Sequence, residues 1–104
     1  MSAAPEYRFE WDAEKAHTNL QKHKVSFPTA STDFRDALAI TVYDDEHSDD
    51  ADQRWVTIGQ SSNGQTLVVV HTFKALDATR IELRLISARK ADRQELRDYE
   101  QAPR

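Results

Sequence analysis

No cysteine occurs in these 104 residues. That removes disulfides, thiolate metal sites and cysteine nucleophiles at once, and it fits a reducing compartment. Two glycines and three prolines leave little material for linkers, and no internal repeat is visible. No apolar run approaches the length of a membrane-spanning helix. The first residues lack the basic-then-apolar layout of a signal peptide. The expectation is a soluble cytoplasmic protein with no membrane contact. Nor is the chain basic: 14 Lys and Arg stand against 18 Asp and Glu. That balance argues against tight, nonspecific binding to nucleic acid, whose phosphates reward positive surfaces.

What is present is a polar chain, 38% hydrophobic and 31% charged. Residues 1–104 have the size of one domain with a single modest core. The acids are unevenly spread. "DDEHSDDAD", residues 44–52, holds six of the eighteen acids and no Lys or Arg; without it fourteen bases face twelve acids, a net of +2. A basic patch elsewhere is therefore allowed, and the acidic segment reads as a solvated loop or a receiver for a basic partner.

Alternation of Tyr7, Phe9 and Trp11 with Arg8 and Glu10 predicts a half-buried strand over 7–11. Asp12 then reads as the N-cap of a helix running to about Lys24. Ala13, Ala16, Leu20 and His23 form its core stripe, with Lys15, Asn19 and Lys22 on another face. A proline in the first turn, preceded by Ser26 or Phe27 at the helix start, marks a short second helix, with Ala30 and Phe34 pointing inward. Strands are expected over 37–44, 53–60, 65–73 and 80–89, the middle two joined at "SSNG". A last helix follows from Lys90, with Ala91, Leu96 and Tyr99 to bury. Clustered strands imply an α+β fold, two N-terminal helices and a C-terminal helix packed on one face of an antiparallel sheet of four to five strands.

Four segments, in order, carry a family resemblance: "FEWDAEKAHTNLQKHKVSF", "DDEHSDDADQRWVTIGQS", "LVVVHTF", and "LRLISARKADRQELRDYE" with its strand-to-helix join. Together, from about Phe9 to Glu100, they resemble the BrnT toxins. The resemblance implies a RelE-like fold and a type II toxin that cleaves RNA. It also implies a BrnA-type antitoxin with a ribbon-helix-helix DNA-binding domain, so that operator DNA is met only through that partner.

A ribonuclease working without a metal needs a base for the ribose 2′-hydroxyl, positive charge at the phosphorus and a proton for the leaving oxygen. Arg54, Arg84 and Arg89 suit the second role, since guanidinium stays charged and binds phosphate oxygens as a fork. Proton-transfer candidates are His23, His71, Glu95 and Tyr99, the last two sharing a helical face. Lys15, Asn19 and Lys22, with Trp11 and His71, are the candidates for holding RNA. Each has a plainer reading. His23 lies on the apolar stripe near a helix C-terminus, His71 sits at core parity, and Trp11 and Tyr99 suit packing. No cofactor or metal is expected: Glu14 and His17 form one isolated Glu-x-x-His with no second copy. A rival reading is a non-catalytic toxin relative that binds the antitoxin as co-repressor. One feature tests the site directly. Arg84 and Arg89 have opposite strand parity, so only a bulge or the strand's end can bring them together.

Overall fold

The structure is a computed structural model that describes residues 5–103. The chain runs β1 (Glu6–Glu10), α1 (Ala13–His23), α2 (Phe27–Ser31), a 3-10 turn (Thr32–Arg35), β2 (Ile40–Tyr43), β3 (Trp55–Gln60), β4 (Thr66–Ala75), β5 (Arg80–Lys90) and α3 (Arg93–Gln101). The α+β class holds, with one correction to the sheet. Its order is β1-β5-β4-β3-β2. β2 to β5 form an antiparallel meander, but β1 pairs with β5 in parallel. The sheet is therefore mixed. α1 and α2 carry the chain across one face, from the edge where β1 lies to the opposite edge where β2 begins, and such a crossover leaves β1 and β5 pointing the same way.

The helix signals worked as local chemistry predicts. Asp12 accepts from the amides of Glu14 and Lys15, bonds that hold its carboxyl below the usual range, that of Lys15 contributing most. Ser26 caps α2. α3 starts later than expected, at Arg93, because β5 continues to Lys90 and Asp92 closes a capping box with Glu95. α3 also departs from the expected common face. It lies along the side of the sheet opposite α1 and α2, where Glu95 meets Arg89.

The core sits between the sheet and the two N-terminal helices: Leu67, Val69, Leu85 and Ala88 against Val25, Phe27 and Ala30. The expected α1 stripe is half right. Ala16 and His23 are partly covered, but Ala13 and Leu20 face solvent, and the buried position is Asn19. The reason lies in the sheet. β1 stops opposite Arg84, so the rest of β5 has lost its outer neighbour. Asn19 fills that gap. Its amide oxygen accepts from the Ala88 amide at 3.0 Å and its nitrogen donates to the Ala88 carbonyl at 2.8 Å. The same nitrogen donates to the Val25 carbonyl at 2.9 Å. One side chain completes a sheet edge and ties the end of α1 to it.

Two further buried groups are titratable. Asp33, in the 3-10 turn, is fully buried with no hydrogen-bond partner for either carboxylate oxygen among the described residues. Gly59 makes room for it: a Cβ there would meet the Asp33 carbonyl oxygen at 3.1 Å. Burial, aided by the nearby charge of Asp36, pushes its pKa up to about 8, against a weaker pull from the Gly59 amide. Burial also lowers His71 to about 4, leaving it neutral at pH 7.

Substitution of Asn19 by Ala should cost about 3 kcal/mol in urea denaturation, because buried backbone groups lose their partner; a loss below about 1 kcal/mol would mean the edge does not depend on it. Asp33 gives a pH signature. The folded protein keeps a proton there that the unfolded chain releases above about 3.8, so stability falls with rising pH until about 8. Below 6.5 His71 acts in the opposite direction, since the unfolded imidazole takes a proton that the folded one refuses until about 4. Between 6.5 and 8 the Asp33 slope should stand alone, up to about 1.4 kcal/mol per pH unit. Asp33→Asn should flatten it in pH-dependent melts.

Candidate functional site

The site is assembled at the end of β5. In a regular strand Arg84 and Arg89 would point to opposite faces. The register prevents this: Leu85 pairs with His71 and Ser87 with Val70, so Ile86 has no partner and forms a bulge. Beyond it the alternation is inverted. Arg84 is level with Thr72 and Arg89 with Val68, two residues of like parity on β4. Both arginines therefore rise from the same face. Those levels are about 13 Å apart at strand rise, so the pair brackets a stretch of surface and does not grip one atom. Arg54 directly precedes β3, whose first residue Trp55 pairs with His71. It is thus level with Thr72, across β4 from Arg84.

Each arginine already faces a carboxylate of its own chain. Arg84 pairs with Glu10 from β1, and Arg54 with Asp52 at 3.2 Å. Arg89 forks onto Glu95, with Nη1 at 2.7 Å and Nη2 at 2.8 Å from its two oxygens. That fork, before any other influence, holds the Glu95 carboxyl below its usual range and the Arg89 guanidinium above its own. The same carboxylate accepts from the Asp92 amide in the capping box. Glu95 is thus an ionised anchor that aims Arg89, a poor starting point for a proton-transfer group.

Two open hollows meet at the bulge. The larger, about 550 Å³, has Arg54, Arg89, Glu95 and Asp98 at its rim and Val70 and Ile86 in its floor. The other, about 450 Å³, is lined from α1 by Asp12, Lys15, Lys22 and His23. Ile86 and Ser87 belong to both. The bulge therefore joins a lysine-lined trough to an arginine-rimmed one.

Other expected site residues fall elsewhere. Asn19 is consumed by the β5 edge and is buried, so it does not present an amide to RNA. Trp11 packs edge-on against Phe27 with the core cluster, which leaves it a packing anchor. His71 lies on the helix-side face, opposite the arginines, in a Thr41–Thr57–His71 chain with 2.8 Å links that is buried at Thr57 and His71. Phe34 stands edge-on to its ring. Tyr99 donates to Asp36 at 2.5 Å and is absent from the lining of either hollow.

Sequence reasoning missed one pair. His47 and Asp44 both line the larger hollow, with His47 Nδ1 3.0 Å from Asp44 Oδ2. The signal was the Asp-x-x-His spacing, hidden in a run read only as acidic. Among the described residues no three His, Cys, Asp or Glu side chains cluster in a way that could hold a metal ion.

A sequence model of the ribonuclease toxin BrnT, of type II toxin–antitoxin systems, matches residues 11–95. The chain belongs to the BrnT family. As a BrnT protein it is a ribonuclease toxin of a type II toxin–antitoxin system. The 1.1 Å crystal structure of the Brucella abortus ribonuclease toxin BrnT is similar in fold, with a TM-score of 0.56 and 24% identity. The likeness covers 85% of this chain and 99% of that one. No curated protein matches the chain. No helix among the described residues is long and apolar enough to cross a membrane.

If substrate spans both hollows of this BrnT protein, a bulky side chain at their junction should block it. Ser87→Phe should lower RNA cleavage about a hundredfold by displacing the bound strand. Its melting temperature should stay close to that of the parent; full activity would show that the hollows work separately.

Proposed function

We propose that this BrnT protein is a metal-independent RNA endonuclease with a RelE-like fold, acting in the cytoplasm on cellular RNA and so arresting translation. The observation carrying this is the bulge at Ile86, which turns Arg84 and Arg89 to one face beside Arg54. In this reading the 2′-hydroxyl attacks the adjacent phosphorus, the 5′-oxygen leaves, and guanidinium groups stabilise the charge that builds on the phosphoryl oxygens. Arg89, aimed by Glu95 over the larger hollow, carries most of that role. Arg54 and Arg84 hold neighbouring phosphates along the face. Lys15 and Lys22 attract the strand leading into the second hollow, where His23 is placed to give or take a proton.

Each of the three arginines already meets a carboxylate, so RNA must displace Asp52 and Glu10 from theirs and share Arg89 with Glu95. Binding should be modest in affinity and steeply salt-dependent. The neutralising partner is a BrnA-type ribbon-helix-helix antitoxin, and contact with operator DNA passes through it. The same internal pairing is the one observation that favours a second reading. In that reading the arginines are permanently neutralised and the protein serves only as an antitoxin-bound co-repressor.

Arg89→Ala separates the two. Cleavage of a model RNA should fall about 10²- to 10³-fold, with EDTA leaving the parent rate unchanged and the product carrying a 2′,3′-cyclic phosphate. A 3′-hydroxyl product or an EDTA-sensitive rate would overturn the mechanism. A parent protein that binds antitoxin but leaves RNA intact would establish the co-repressor reading.

A further inference from the structure

We infer that His47 is the general base of this ribonuclease and that Asp44 is its positioning residue; the inference rests on the catalytic reading above. The pair sits in the turn that follows β2, at the rim of the larger hollow that also holds Arg54 and Arg89. Asp44 reaches His47 Nδ1 with both carboxylate oxygens, at 3.1 and 3.0 Å. A carboxylate held at Nδ1 makes that nitrogen the donor, which leaves Nε2 with the lone pair. That is the tautomer a base requires.

Exposure divides the roles. The imidazole side chain is 67% exposed and the Asp44 side chain 18%, so substrate can reach the ring while its partner stays behind it. The turn is built to hold this geometry. Ser48 Oγ donates to the Asp44 carbonyl at 2.5 Å and accepts from the Arg54 amide at 2.8 Å. The Asp44 amide donates to the Arg54 carbonyl at 2.9 Å. These bonds close the loop and tie the histidine's segment to the arginine's. Asp49, through the amides of Ala51 and Asp52, braces the far side. A run of acids that reads as solvated spacer is therefore a folded turn presenting one imidazole.

His47 is also the exposed histidine in the right hollow. His71 is buried on the opposite face, and His23 lines the second hollow across the bulge. Asp44, from its own turn, meets the ring, and the other charged groups that line the same hollow are Arg54 before β3, Arg89 on β5, and Glu95 and Asp98 on α3. The step balances without a further reagent. His47 Nε2 takes the proton of the 2′-hydroxyl, the O2′–P bond forms, the P–O5′ bond breaks, and the departing oxygen is protonated from a second acid or water.

The test is the pH-rate profile of cleavage of a dinucleotide RNA substrate by the full chain. The parent should show an acid limb, with activity falling as His47 is protonated. His47→Ala should lower kcat/KM about 10²- to 10³-fold and remove that limb. Added imidazole should restore part of the rate, which a structural histidine would not permit. Asp44→Asn should lower kcat/KM about tenfold and shift the limb. With a p-nitrophenyl leaving group, which needs no proton, the His47→Ala defect should persist. A defect that vanishes there would make His47 the acid and overturn the assignment. So would a variant with the parent's rate and limb, or one that imidazole cannot rescue. A parent protein that cleaves no RNA would instead remove the catalytic reading on which this one depends.

Discussion

The unpaired Ile86 decides what the end of β5 presents. A strand alternates its side chains with a period of two, so one inserted residue inverts everything beyond it. Leu83 and Leu85 before the bulge and Ala88 after it are all buried, a spacing that no regular strand allows on one face. The inversion lets Ala88 keep the core sealed under α1 while Arg89 joins Arg84 on the open face. Packing and site formation are two results of the same extra residue.

The bulge lies where β5 loses its outer neighbour, and Asn19 holds that segment in place. β1 ends opposite Arg84, so the Ala88 amide and carbonyl would otherwise be buried without partners. An asparagine side chain sets an N–H beside a C=O in the arrangement of a peptide group and keeps a second N–H to spare, and here it replaces a missing strand. Because Asn19 also bonds to the Val25 carbonyl, α1 and its lysines are fixed relative to the arginine face.

Charge on that face is balanced internally. Every arginine of the site meets a carboxylate, so each of the three guanidinium charges has an opposite charge beside it. Exposed pairs of this kind are weak, and a phosphate can exchange for a carboxylate at small cost. This squares an acidic chain with the RNA substrate proposed for it. Attraction is local and conditional on close approach, whereas a basic surface would act from a distance.

Local chemistry was legible in the chain. Asp12 caps its helix where it was expected to, Pro28 marks the first turn of α2, alternation marked the strands to within a few residues, and the family followed from ordered motifs. The opposite parities of Arg84 and Arg89 even showed that a bulge was needed. Partnership between distant segments was not legible. Nothing in "HTNLQKH" says that Asn19 must complete a strand sixty-nine positions away, so the α1 stripe was drawn through Leu20. The parallel pairing of β1, the side on which α3 lies, and the folding of an acidic run into the Asp44–His47 turn have the same cause. Propensity, capping and periodicity act over a few residues and are written in the sequence itself. Which face a side chain finally occupies depends on register between strands, and register is decided only when the whole sheet closes over its core.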